Sequence, residues 1–181
     1  MIFRDLTADE ISCRVGQAKQ NGCILLLYID ARCAQAILDE TVGAMNWQRL
    51  HTRDNANCIV SIWDDDKKQW VPKEDTGTTS NAEKEKGIAS DSFKRACVNW
   101  GIGRELLSAP VIWIPANECK HLSKRQSGGW VCADSFCIQK IVIENKKIKA
   151  LAIKNQTTGK TVFVWQDEEF KKKNGGKKNG T

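Results

Sequence analysis

The stretch "GIASDSFKRACVNWGIGREL", residues 87–106, decides how the chain is read, because it must be a phosphate-cradling loop, a packed helix or a nucleic-acid surface. Its periodicity selects the helix. Ile88, Ala89, Ser92, Phe93, Ala96, Cys97 and Trp100 recur at helical spacing and share one side. The predicted helix is Ala82–Trp100, entered from the Gly/Thr/Ser loop Thr76–Asn81 with Ser80 or Asn81 as its cap. Gly101 ends it by taking the left-handed conformation. Gly101-Ile102-Gly103 is not a dinucleotide fingerprint, since the third glycine is missing and the run follows a helix rather than a strand. Gly159-Lys160-Thr161 has a P-loop ending, but Lys154 stands where the first glycine is required.

Upstream, Thr7 and Glu10 form a capping-box pattern, which predicts a short helix over Leu6–Gln20. Cys23–Ile29 is apolar and reads as a strand. Asp30 is positioned to cap a second helix, where Cys33, Ala34, Ile37, Leu38 and Val42 form a stripe that stops near Gly43. Three strands follow: Asn46–Thr52, a segment with Cys58, Val60 and Ile62 on one face, and Gln69–Asp75. Asp64–Lys68 between the last two is a turn by composition. Downstream of Pro115 the segments Phe136–Glu144, Lys147–Lys154 and Lys160–Trp165 alternate as strands. The expected organisation is a core over residues 1–116, a small β-rich lobe over 117–166 and a disordered Lys-rich tail over 167–181.

The chain has 181 residues, and its 28 Lys and Arg exceed its 22 Asp and Glu, so an anionic partner is permitted without being required. No apolar run approaches the ~20 residues of a membrane span, and Met1–Asp9 lacks the pattern of a secretory leader. Eight cysteines stand mostly at apolar positions of periodic segments, which favours free thiols and a cytoplasmic, reducing compartment. Asp64, Asp65 and Asp66 point in different directions and read as a solvated turn rather than a metal site. Cys119, His121, Cys132 and Cys137 lack the usual C-x2-C pairing of zinc ligands, so no metal or other cofactor is expected. The two histidines, His51 and His121, belong to no recognisable acid–base or nucleophile constellation, and no enzymatic activity is expected.

Several elements occur in an order that resembles the Rad-fifty-two-type single-strand annealing superfamily, including phage Sak-type proteins. They are Glu74-Asp75-Thr76-Gly77, the charged run Glu83–Lys86, Ser90-Asp91-Ser92-Phe93-Lys94-Arg95-Ala96, and Trp100-Gly101-Ile102-Gly103-Arg104, with Ile29-Asp30-Ala31-Arg32 and Asn46-Trp47 upstream. The resemblance spans about Leu6 to Ile114. It implies a β-β-β-α core; with the helix–strand–helix ahead of it and the small C-terminal antiparallel sheet read from the alternation downstream, the expected fold class is α+β. It also implies ATP-independent annealing of complementary single-stranded DNA in recombination and repair. The agent would be a homo-oligomeric ring or helical filament, able to meet a host single-strand-binding protein or other recombination proteins. Lys94, Arg95 and Arg32 match the family's DNA contacts by position. Charge and helical geometry add Lys84 and Arg104. Two other classes stay open: a single-stranded DNA-binding module without annealing activity, and a metal-dependent nuclease using Asp64–Asp66 or the cysteines.

Overall fold

The computed structural model describes residues 1–78 and 84–175, the side chains at 84–86 excepted. In chain order the elements are β1 (Ser12–Lys19), β2 (Gly22–Tyr28), α1 (Ala31–Val42), β3 (Trp47–Thr52), β4 (Asn57–Asp64), β5 (Gln69–Thr76), α2 (Lys84–Trp100), β6 (Ile112–Pro115), β7 (Leu122–Lys124), β8 (Trp130–Cys132), β9 (Phe136–Glu144), β10 (Lys147–Asn155), β11 (Lys160–Gln166) and α3 (Glu168–Gly175). Short 3-10 turns lie at Ala8–Glu10, Arg104–Ser108 and Ala116–Glu118. They form two compact units: Met1–Leu6 with Ile29–Arg104, and Thr7–Tyr28 with the chain from Glu105 onward.

In the first unit, β3, β4 and β5 form an antiparallel sheet in that order. Period-2 alternation sends Cys58, Val60 and Ile62 of β4 to one face, where they are buried. Phe93, Ala96 and Cys97 of α2 are fully buried in the same unit, as are Ala34, Ile37 and Leu38 of α1. The Asp30 side chain caps α1 by accepting from the Cys33 amide at 2.7 Å. Trp47 of β3 stacks on Phe93 with ring centroids 6.1 Å apart, which registers α2 against the sheet.

In the second unit, a six-stranded antiparallel sheet runs β11-β10-β9-β1-β2-β6, and its end strands β11 and β6 also touch, so it nearly closes on itself. Leu25, Ile112, Ile114, Ile138, Ile148, Leu151 and Ile153 fill its buried side. β7 and β8 make a separate hairpin.

The expected fold class is therefore corrected. The lead-in is not helix–strand–helix, and the C-terminal strands are not a small separate sheet: β9, β10 and β11 share a mostly β unit with the β1–β2 hairpin. The capping box at Thr7 exists, with the Thr7 amide donating to Glu10 Oε2 at 2.9 Å, but it closes only the three-residue turn Ala8–Glu10. Beyond it the pattern misleads for a physical reason. A bulge between Val15 and Gln17 inserts one residue into β1, so the inward set slips from Cys13 and Val15 to Ala18. That three-residue step imitates a helical spacing. Within the segment expected to be disordered, Glu168–Gly175 is helical, and Asp167 receives the Phe170 amide at 2.6 Å as its cap.

Candidate nucleic-acid interface

The residues of the quoted stretch converge on the C-terminal end of α2. The helix closes with a paired 6→1 and 5→2 arrangement: the Ile102 amide donates to the Cys97 carbonyl at 3.1 Å and the Gly101 amide to the Val98 carbonyl at 3.0 Å. Gly101 at φ 105° and Gly103 at φ 70° supply the left-handed backbone that this ending requires. Buried Ile102 anchors the exit.

Two cations gather on the carbonyls exposed there. Arg104 donates from Nε and a terminal nitrogen to the Val98 carbonyl at 3.1 and 2.9 Å, and from that nitrogen to the Asn99 carbonyl at 2.9 Å. Lys73 of β5 also donates to the Asn99 carbonyl at 2.9 Å, with its ammonium 4.2 Å from the Trp100 ring centroid. Positive charge at this end complements the helix macrodipole. Asn99 extends the network by donating its side-chain amide to the Glu74 carbonyl at 2.9 Å and to Asp75 Oδ2 at 3.3 Å. Asp75 Oδ1 receives Arg95 Nε at 3.3 Å, while the Arg95 side chain stays half exposed. Arg95 and Arg104 thus belong to one hydrogen-bonded system that joins β5 to the end of α2.

The acidic and glycine positions of the motif are structural. Asp91 Oδ2 receives the Thr78 amide at 2.9 Å, tying the segment after β5 to α2. Gly77 sits where a Cβ would come within 2.7 Å of the Ser92 amide nitrogen and 2.9 Å of the Ile88 carbonyl oxygen. Only a residue without a side chain lets that segment lie on the helix.

Among the other expected contacts, Arg32 is exposed in the first turn of α1 and makes no hydrogen bond or ion pair with the described residues. A cation near a helix N-terminus faces the positive end of the dipole, so this position is locally unfavourable and open to an external anion. The Gly103 backbone lies against Ile29, an ideal Cβ there being 3.2 Å from the Ile29 side chain, which places the exit from α2 close to the entry into α1. Lys94 is half-buried. The side chain of Lys84 lies outside those described.

Sequence reasoning missed Arg49, whose guanidinium lies 4.9 Å from the Phe93 ring centroid. The signal was its alternation with Trp47 and His51 on β3. His51 Nδ1 is 3.4 Å from the Ser92 hydroxyl, and burial followed by the charge of Arg49 lowers its pKa. It also missed the aromatic pair Trp63 and Trp70, edge to face at 5.6 Å, with Trp70 39 % exposed. Phe93 is fully buried and belongs to the core.

Asp64–Asp66 form a self-satisfied turn. Asp64 Oδ1 accepts the amides of Asp66 and Lys67, each at 3.1 Å, and Asp65 accepts the Trp63 indole N–H at 3.0 Å. Those amides and Lys67 lower the Asp64 pKa, and Trp63 with Lys68 lowers that of Asp65. An open cleft of about 630 Å³ adjoins them, lined also by Lys73 and Trp100.

Charge is divided unevenly. The unit that carries α2 has twelve Lys and Arg against thirteen Asp and Glu, whereas the other has sixteen against nine. The chain's net excess therefore resides in the unit with the six-stranded sheet, and the α2 end is a local concentration of cations rather than part of a basic domain. No helix among the described residues is long and apolar enough to cross a membrane. No family model, curated protein or solved structure matches this chain.

Proposed function

We propose that this chain binds single-stranded DNA through its phosphates and anneals complementary strands without ATP, acting in the cytoplasm as a homo-oligomeric ring or helical filament. The observation that carries the proposal is the pair of exposed guanidinium groups, Arg95 and Arg104, held in one network by Asp75 and Asn99. Arg32, exposed and without a partner among the described residues, adds a third candidate in the first turn of α1. The motifs that resemble the annealing superfamily supply the choice of ligand, and the network gives the resembling residues a shared physical role.

Guanidinium forks are suited to phosphate oxygens, and contacts confined to the backbone leave base edges free to test a second strand. Stacking then releases about 1.4 kcal/mol per step, so the nucleic acid itself supplies the driving energy and no bond-making chemistry is needed. A single copy offers few cations at this site. Repetition of the site around a ring or along a filament would make a continuous track. Trp70 offers a surface for stacking an unpaired base.

The test is fluorescence anisotropy with a labelled oligonucleotide over a salt series, for the native chain and for Lys94→Ala with Arg95→Ala. The native chain should bind more weakly as salt rises. The double variant should bind less tightly with a salt slope shallower by up to about 1.4, from roughly 0.7 for each phosphate no longer neutralised, and should keep its oligomeric state. Equal affinity of the two proteins at every salt concentration would remove Lys94 and Arg95 from the interface.

A further inference from the structure

Three sulfur atoms converge in the second unit from segments far apart in sequence. Cys23 lies on β2, Cys119 ends the turn Ala116–Glu118, and Cys132 ends β8. Their Sγ atoms all lie within 4.8 Å of one another. Zn–S bonds of about 2.3 Å place the sulfurs of a zinc site about 3.8–4.0 Å apart, so small side-chain rotations would complete the set. Among the described residues this is the one group of three or more His, Cys, Asp or Glu side chains whose donor atoms come together in this way.

The backbone around each sulfur is held independently of any ion. Cys23 pairs with Ala18 on one side and Ile114 on the other, in the interior of the six-stranded sheet. The Ala116 amide donates to the Asn21 carbonyl at 2.9 Å, binding the 3-10 turn to the β1–β2 connection. Asn155, fully buried, donates to the Glu118 carbonyl at 3.0 Å and to Asp134 Oδ2 at 2.8 Å. Asp134 in turn accepts the amides of Lys120 and His121 at 2.6 and 2.8 Å. The residues flanking Cys119 and following Cys132 are thereby locked together, the preorganisation that a ligand set needs.

We propose that Cys23, Cys119 and Cys132 bind one zinc ion, which fastens the β7–β8 hairpin and the Ala116–Glu118 turn to β2. Three thiolates leave a fourth position for water on the side of Cys119, the partly exposed member. Burial, reinforced by the neighbouring thiols, pushes the Cys23 thiol up and that of Cys119 to about 11. The set discounted on its sequence spacing, Cys119, His121, Cys132 and Cys137, is a different one. His121 Nδ1 is engaged with Asp134 Oδ1 at 3.1 Å, and Cys137 lies opposite Ser12 in the β1–β9 pairing. Cys23, the missing member, is separated from Cys119 by most of the chain, so no spacing motif announces it.

The test uses the full chain purified under reducing conditions, with metal content measured by mass spectrometry and the apo protein titrated with Co²⁺ as a spectroscopic stand-in. One zinc per chain and a thiolate-to-cobalt charge-transfer band support the proposal. Cys119→Ser, at the least buried position, should abolish the band and weaken zinc by more than about 100-fold, whereas Cys137→Ser should change neither. Substoichiometric zinc with no charge-transfer band in the native chain overturns the proposal. So does loss of the band in Cys137→Ser equal to that in Cys119→Ser. DNA binding enters neither readout, so this result stands apart from the proposed annealing activity.

Discussion

Arg95 and Arg104 stand nine residues apart in one motif, yet their replacement should cost very different amounts of stability. Arg104→Ala removes three hydrogen bonds to the last carbonyls of α2, together with a charge that complements the dipole. Neither carbonyl is orphaned: Val98 keeps the Gly101 amide, and Asn99 keeps Lys73. The loss is then the net value of solvent-accessible charged hydrogen bonds plus the dipole contribution, about 1–2 kcal/mol. For a chain of this size that is roughly 2–8 °C in Tm. Arg95→Ala removes one half-exposed ion pair with Asp75 at 3.3 Å, which is worth about 0.2–1 kcal/mol. Arg104→Lys should recover part of the lost stability, since it restores the charge but not the fork that spans two carbonyls. The assay is thermal denaturation of the three variants beside oligonucleotide binding over a salt series. Arg104→Ala should show the larger fall in Tm, and Arg95→Ala a shallower salt slope at nearly native Tm. A lower Tm for Arg95→Ala than for Arg104→Ala would refute the capping role and the reading of the network.

Gly77→Ala should destabilise the chain by about 1–3 kcal/mol, measured by urea denaturation, because its Cβ would meet the backbone of α2 at 2.7–2.9 Å. A neutral substitution would mean that the segment after β5 does not lie on the helix. His51 is held below its ordinary pKa by burial and by Arg49, so the folded state favours neutral imidazole. That contribution is intact above the unfolded value of about 6.5 and is lost as pH falls below it towards the folded value. His51→Gln should therefore flatten the dependence of Tm on pH below about 6.5, and an unaltered profile would show that His51 does not titrate on unfolding.

Local elements were legible where one periodicity ran without interruption. The α2 stripe from Ile88 to Trp100, the Asp30 cap of α1 and the alternation of Cys58, Val60 and Ile62 each answer to a single buried face. The sheet assembly was not legible. The single bridge between Ser12 and Cys137 joins β1 to β9 across more than a hundred residues, and no local pattern specifies it. The capping box at Thr7 pointed to a helix where β1 begins two residues after the turn it closes. At the site, the resemblance pointed to Arg95, and charge with geometry to Arg104, but neither disclosed Arg104's task at the end of α2. That task depends on carbonyls which become acceptors only once Gly101 has stopped the helix. The thiol cluster was half visible, in Cys119 and Cys132, and Cys23 reaches it only through the β2–β6 pairing.

The central claim is that the α2 end, repeated across copies of the chain, holds single strands by their phosphates and lets their bases pair. The most direct measurement is the annealing rate of two complementary labelled oligonucleotides, followed by energy transfer without ATP, at protein concentrations giving equal strand occupancy for the native chain and for Lys94→Ala with Arg95→Ala. The account predicts acceleration over the protein-free rate by the native chain, falling as salt rises, and a smaller acceleration by the variant. Strands that are fully bound yet anneal no faster than free strands would contradict it.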